Sequence, residues 1–138
     1  MKLTVFNGSG RGKTGNTQIL LDAFLEGFSS VEGNTVETHI LMPGRNMDAC
    51  TAAFASAENV LMVFPMYTDM VPGVVKALIE TLQPYCGREG NPSIGFIIHC
   101  GFPEGVQLRA LERYLEKLSR RSEEHRVGKE CRSRWTPY

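Results

Sequence analysis

The amino-acid sequence predicts a single α/β domain built on a doubly wound parallel sheet. Strand and helix signals alternate along residues 1–120, and two of the four strand signals are wholly apolar runs, as expected for parallel strands covered on both faces. The chain has 138 residues, 42% of them hydrophobic and 22% charged, which suits one domain with its own core. No apolar run approaches the roughly 18 residues of a membrane span, so we expect no membrane contact.

The first half of the chain contains two strand signals and two helix signals. Residues 2–7 are β-prone and end at a glycine loop, and residues 35–42 alternate as in a half-exposed edge strand. Apolar residues recur at helical spacing over 17–28, with Asn16 as the expected N-cap, and residues 48–57 predict a short helix. The stripe of the first helix expected to face the core comprises Leu20, Ala23, Phe24, Gly27 and Phe28.

The second half repeats the alternation. Residues 60–64 and 93–99 are apolar strands, a helix begins at Pro72, and a last amphipathic helix follows Pro103. The stripes expected to be buried are Val71, Val74, Val75, Leu78, Ile79 and Leu82 in one helix, and Leu108, Leu111, Leu115 and Leu118 in the other. This order of elements predicts the doubly wound sheet.

The final segment, residues 121–138, differs from the rest of the chain. It lacks helix or strand periodicity and is basic, with five Lys or Arg against three Glu. A solvated basic tail has this composition, but RSEE followed by RVGKECRSRW also resembles the in-frame translation of a widely used short-read sequencing adapter. We therefore expect residues 1–120 to form the domain and residues 121–138 to be a non-native tail.

Charge and cysteine usage narrow the class of protein. Residues 1–120 carry 12 acidic and 10 basic side chains, and the whole chain is formally neutral, which argues against a generic nucleic-acid binder. The four cysteines contain no CxxC pair, so neither a zinc ribbon nor a redox dithiol is predicted. With no signal peptide evident in the first residues, we expect a cytoplasmic protein.

The loop after the first strand, GSGRGKTGNT at residues 8–17, predicts phosphate binding. In a doubly wound sheet, ligands bind at the carboxyl ends of the strands. The loop offers unshielded backbone N–H groups, the hydroxyls of Ser9, Thr14 and Thr17, and the guanidinium of Arg11. It leads into a helix N-terminus, where free N–H groups and the helix dipole favour an anion.

Two nucleotide-binding motifs nearly fit this loop and are less favoured. A P-loop, GxxxxGK[ST], would need glycine where Asn7 stands, and neither apolar strand ends in the Asp that would hold Mg²⁺. The dinucleotide motif GxGxxG matches at Gly10, Gly12 and Gly15. This match lies late after the strand, and no acidic residue ends the second strand.

Two further loops lie at the same edge of the predicted sheet, residues 65–71 and 100–104. The first carries flat or polarisable side chains that suit an aromatic ring, although the same residues can cap a core. In the second, Gly101 allows a close backbone approach to a ring. His99 and Cys100 stand nearby, and a packed or solvent-facing strand end is favoured over a functional role for both.

Taken together, three segments resemble the flavodoxin-like NAD(P)H-dependent FMN reductases. The segments are GSGRGKTGNT at 8–17, PMYTDMVPGVVK at 65–76 and GFPE at 101–104, and the likeness spans about residues 1–120. The family has the strand order 2-1-3-4-5. Because no strand signal follows Leu118, the resemblance implies a 2-1-3-4 sheet without the fifth strand, and an exposed edge at residues 93–99.

The resemblance also implies the cofactors and the residues that hold them. FMN would be bound, with NAD(P)H as electron donor and a small molecule as acceptor. The FMN phosphate would lie at Ser9, Arg11, Gly15, Asn16 and Thr17, and the ribityl chain and ring at Pro65, Met66, Tyr67, Gly101 and Phe102.

The predicted activity is therefore an FMN-dependent NAD(P)H oxidoreductase of the flavin or quinone reductase type. The flavin carries the redox chemistry, so no catalytic side chain is assigned. No metal is expected, because Cys50 stands alone where iron–sulfur relatives carry a cysteine pair. The alternatives are an electron carrier, disfavoured because such carriers are strongly acidic, and a P-loop phosphotransferase. The family often dimerises, which leaves a homodimer open.

Overall fold

A twisted sheet of four parallel strands forms the centre of this computed structural model, which describes residues 1–42, 44–101 and 105–122. The strands are β1 (Lys2–Asn7), β2 (Thr35–Ile40), β3 (Asn59–Pro65) and β4 (Ser93–His99). They lie in the order β2-β1-β3-β4, and every neighbouring pair is parallel. The predicted fold class and the strand order 2-1-3-4 are confirmed.

Four helices connect or follow the strands. They are α1 (Asn16–Ser29), α2 (Met47–Ser56), α3 (Gly73–Thr81) and α4 (Arg109–Ser122). Their positions match the sequence-based predictions closely, and α4 ends two residues beyond the predicted domain boundary. Residues 123–138, most of the predicted tail, lie outside the described residues. No helix among the described residues combines the length and apolarity needed to cross a membrane.

The two faces of the sheet carry separate apolar clusters. Alternation along a strand sends neighbouring side chains to opposite faces, so Phe6 joins one cluster and Val5 the other. The larger cluster is covered by α2, α3 and α4, and the smaller one by α1. β4 pairs only with β3 among the described residues and is half-buried, so it is an edge strand as predicted.

The start and the buried face of α1 differ from the prediction. Asn16 is the first helical residue, not the N-cap, because Gly15 in extended conformation occupies the N-cap position. Leu20 and Phe24 of the predicted stripe are exposed, whereas Thr17 and Leu21 are buried. Two overlapping stripes have helical spacing in this segment, and the one that begins at Thr17 faces the sheet.

Candidate functional site

One cavity of about 240 Å³ opens where the carboxyl ends of β1, β3 and β4 meet. The three predicted ligand loops contribute to its walls, as expected for a doubly wound sheet. Its lining residues are Ser9, Arg11, Gly15, Asn16, Thr17, Pro65, Met66, Tyr67, His99, Cys100 and Gly101. Nine of the ten predicted site residues therefore lie together, and the tenth, Phe102, lies outside the described residues.

The chain leaves β1 through a position that admits only glycine. The Gly8 N–H donates to the Val63 carbonyl at 2.8 Å, which extends the β1–β3 pairing past the end of β1. A Cβ at Gly8 would lie 2.2 Å from Val75 Cγ2 and 3.1 Å from Phe64 Cβ. Because both neighbours belong to the packed core, the loop approaches the sheet and α3 as closely as backbone atoms allow.

The buried amide of Asn7 holds the beginning of this loop. Its Oδ1 accepts from the Ser9 N–H at 3.0 Å, and its Nδ2 donates to Gln18 Oε1 at 3.0 Å. The Ser9 carbonyl accepts from the Gly12 N–H at 3.0 Å, closing a turn in which Gly12 has a φ of +53°. The loop is thereby tied both to its own backbone and to the first turn of α1.

The N-terminus of α1 faces the cavity without a capping side chain. Gly15 occupies the N-cap position, no side chain there accepts a hydrogen bond from the helix, and the first turn contains no acidic residue. A Cβ at Gly15 would lie 3.1 Å from both Ser9 Oγ and Arg11 Cβ, so the backbone approaches these groups closely. The free N–H groups, the helix dipole and the Arg11 cation together suit an anion.

A histidine joins this helix end to β4. The Oγ1 of Thr17 and the Nε2 of His99 lie 2.8 Å apart in a hydrogen bond, and Thr17 is almost fully buried. Burial lowers the pKa of His99, so its imidazole is neutral at neutral pH. The His99 carbonyl also accepts from the Met66 N–H at 2.8 Å. His99 therefore links three parts of the cavity wall: α1, the loop after β3 and the end of β4.

The loop that follows β3 forms one wall of the cavity and contains an exposed hairpin whose turn has two residues. Tyr67 and Met70 exchange backbone hydrogen bonds of 3.1 Å each. Thr68 and Asp69 between them have φ values of +51° and +60°, the left-handed conformation that such a turn requires. Neither residue is glycine, so the hairpin is strained. Tyr67 is 54% exposed, whereas Met66 is buried against the core.

His99 and Cys100 are the cavity residues that sequence reasoning set aside. The sequence favours a packed or solvent-facing strand end for both, and in the structure both residues line the cavity. Their position was the available signal, because they end the apolar strand β4 directly before Gly101. In a parallel sheet, the last residues of a strand next to a ligand loop face the ligand edge.

The fold and the cavity define a class of protein. Its members are doubly wound α/β proteins in which the loop after the first strand is suited to phosphate and lines a cavity whose other walls can hold a flat ring. Within that class, the family model described as NADPH-dependent FMN reductase matches residues 1–102, and the chain belongs to this family. The predicted family, the enzyme class of FMN-dependent NAD(P)H oxidoreductase and the cofactors FMN and NAD(P)H are confirmed.

Solved structures of similar fold include several reductases. An NADH:FMN oxidoreductase (EMOB) in its apo form superposes with a TM-score of 0.68 at 16% identity, over 88% of this chain and 68% of that one. An NADPH-quinone reductase from P. pentosaceus gives 0.68 at 17% identity, over 88% and 79%. An FMN-dependent NADH-azoreductase from Bacillus anthracis, in complex with FMN, gives 0.67 at 13%, over 88% and 82%. Among curated protein sequences, none matches the chain.

Proposed function

We propose that the cavity holds FMN with its phosphate at the N-terminus of α1 and its ring against the β3 and β4 loops. The observation that carries this assignment is the uncapped end of α1, which opens into the same cavity as the flat wall of Pro65, Met66 and Tyr67. The donor set fits a phosphate, since hydroxyls, backbone N–H groups and a cation converge there, and no carboxylate is among the described lining residues.

Each predicted residue has a distinct task in this arrangement. The phosphate is bound through side-chain or backbone donors of Ser9, Arg11, Gly15, Asn16 and Thr17. The ribityl chain and the ring are flanked by Pro65, Met66, Tyr67 and Gly101, and the family resemblance adds Phe102 to this group. FMN, when bound, supplies hydride and electron transfer. The protein orients it, and no side-chain acid or base is needed.

The acceptor we propose is a small planar oxidant such as a quinone or a free flavin. Tyr67 lines the cavity and Met70 pairs with it across the turn, each with about half of its surface exposed, so a flat molecule can approach from solvent and stack there. With a quinone, the overall reaction transfers a hydride from NAD(P)H, takes up one proton from solvent and yields NAD(P)⁺ and the hydroquinone. The quinone reductase of similar fold makes quinones the first acceptors to test.

Reconstitution tests the cofactor assignment directly. After incubation with FMN and desalting, we expect the protein to stay yellow and to bleach under anaerobic NADPH. Thr17→Val removes a cavity hydroxyl at nearly constant volume, and we expect about tenfold weaker FMN binding with riboflavin little affected. Thr14→Val is the matched control, because the Thr14 hydroxyl bonds to the Arg11 carbonyl outside the cavity.

The outcomes separate the alternatives. Colourless protein after desalting contradicts the cavity assignment, and equal losses in Thr17→Val and Thr14→Val contradict the phosphate position. Colour that NADPH does not bleach would favour the electron carrier. Family membership already favours the reductase over both the carrier and the P-loop phosphotransferase. Quinone, free flavin and azo dye turnover then rank the acceptors.

Assembly and location complete the proposal. A homodimer is supported by the family resemblance and by the exposed apolar side chains Ile19, Leu20 and Phe24 on α1, which a second copy would cover. A cytoplasmic location is supported by the use of NAD(P)H as electron donor. Light scattering after size-exclusion chromatography and cell fractionation test these two statements.

A further inference from the structure

We propose that His99 is a positioning residue that turns the Thr17 hydroxyl toward a bound phosphate, and that its protonation tightens the binding of that anion. The inference rests on the proposed function in one respect, the presence of a phosphate at the N-terminus of α1. It assigns a role to a side chain that the FMN chemistry itself does not use.

The geometry joins the imidazole to the anion position through one hydroxyl. His99 Nε2 lies 2.8 Å from Thr17 Oγ1, and both residues line the cavity. Thr17 is 1% exposed, so its hydroxyl has little access to bulk water and depends on its neighbours for hydrogen bonds. Thr17 also lies in the first turn of α1, where the free N–H groups and the dipole attract an anion.

The protonation state of His99 decides what Thr17 offers to the cavity. If Nε2 lacks a proton, the Thr17 O–H donates to it, and only oxygen lone pairs remain to face an anion. If Nε2 carries a proton, Thr17 accepts from His99, and its own proton is free to bond a phosphate oxygen. A bound phosphate therefore selects the Nε2–H tautomer or the doubly protonated ring.

A second, electrostatic contribution appears when His99 becomes a cation. The other titratable or charged groups that line the cavity are Arg11 from the first loop, Tyr67 from the β3 loop and Cys100 from the end of β4. No carboxylate among the described residues lines it, so a phosphate is the natural counter-ion for a protonated imidazole. Burial lowers the pKa of His99 in the free protein, and an adjacent phosphate acts in the opposite direction. Anion affinity should therefore rise as the pH falls through the range in which His99 takes up its proton.

The backbone of His99 is held independently of its ring. Its carbonyl accepts the Met66 N–H at 2.8 Å, and the residue ends a strand paired with β3. Substitutions of the side chain leave this bond in place, so they test the imidazole and not the strand end. His39 is another half-buried histidine, and it lies near the carboxyl end of β2 but does not line the cavity. His39→Gln is therefore the matched control.

The experiment compares His99→Gln, which keeps a side-chain N–H donor but cannot titrate, with His99→Leu, which removes the donor. Dissociation constants for FMN and riboflavin are measured between about pH 5.5 and 8. At the upper end, we expect His99→Gln to match the unmodified protein and His99→Leu to bind FMN about tenfold more weakly, with riboflavin unchanged. At the lower end, the unmodified protein should bind FMN about threefold tighter than His99→Gln. The ionisation of the FMN phosphate affects both proteins equally, so it cancels in the ratio of their two dissociation constants.

Inorganic phosphate supplies a readout that does not depend on FMN. In an NMR titration of the His99 ring, added phosphate should raise the pKa of His99. If FMN does not bind but phosphate raises the pKa of His99, the proposed function is wrong and the role of His99 stands. Equal FMN affinities for the unmodified protein, His99→Gln and His99→Leu across this pH range, or an unmoved His99 titration, would overturn the inference.

Discussion

The two ends of the cavity differ in how firmly the fold holds them. At the phosphate end, Ser9 and Thr17 are buried, and Gly8 has no room for a side chain. At the ring end, Tyr67 and Met70 are exposed on a hairpin with two left-handed residues. If FMN binds as proposed, packing specifies the anchor, which is the position of its phosphate, whereas the surface beside its ring is less constrained by the fold.

The largest expected effect is at Gly8. Gly8→Ala places a Cβ 2.2 Å from a methyl group of Val75, which belongs to the core. We expect a loss of about 1–3 kcal/mol in the free energy of unfolding, since the loop and α3 must separate. Gly10→Ala, in the same loop, has nothing within 4 Å of the added Cβ and should cost much less. Urea denaturation of both variants measures the difference, and equal losses would show that the anchor is less tightly packed than described.

The next largest effect is expected when the positive charge of Arg11 is removed from the proposed phosphate site. Arg11→Gln removes the cation that lines the cavity, and we expect about fivefold weaker FMN binding, about 1 kcal/mol, that shrinks as salt is added. Lys13→Gln removes an equal charge from an exposed position of the same loop that does not line the cavity. Fluorescence titration at two ionic strengths compares them. Equal losses would mean that only the net charge of the loop matters.

A smaller effect is expected at the strained hairpin. Thr68→Gly relieves the left-handed conformation, partly offset by the greater freedom of glycine in the unfolded chain, so we expect a gain of about 0.5 kcal/mol in stability. Thr68→Ala keeps the Cβ and should gain little. We expect both variants to bind FMN with unchanged affinity, whereas the KM of each for a quinone should change. A change in FMN affinity instead would mean that the hairpin belongs to the anchor.

The smallest effect is a pH dependence of stability in the FMN-free protein. Burial lowers the pKa of His99 below its ordinary value of 6.5, so the unfolded chain binds the proton more strongly. Stability should therefore fall as the pH decreases from 6.5 toward the lowered pKa and should not depend on His99 above that range. His99→Gln should show a smaller drop in Tm between about pH 7.5 and 5.5. An identical drop in both proteins would contradict this sign.

Much of the fold could be predicted because its strands have distinctive patterns. Val60 to Phe64 and the apolar run of β4 are the continuous hydrophobic segments of buried parallel strands, and three of their four boundaries fall near a glycine or proline. The face of α1 could not be predicted. Leu20 with Phe24 and Thr17 with Leu21 have the same helical spacing, and only the tertiary contacts distinguish them: Leu21 packs into the cluster on the sheet and Thr17 bonds to His99.

The lining of the candidate site could be predicted to a similar extent. Glycines, hydroxyls and Arg11 mark the phosphate loop in the sequence, because the chemistry of anion binding selects these residue types. The link between Thr17 and His99 joins residues 82 positions apart and depends on the register of β4 against β3. No local pattern carries that information, so sequence reasoning set His99 aside.

The exposure of Tyr67 makes the cavity accessible to optical spectroscopy. The only tryptophan of the chain, Trp135, lies in the segment predicted to be a tail. A Tyr67→Trp, Trp135→Phe variant would therefore carry a single indole at the mouth of the cavity, where a flavin ring would quench its emission by energy transfer. The residue at which we propose that acceptors approach would then serve as a fluorescent reporter of each binding event.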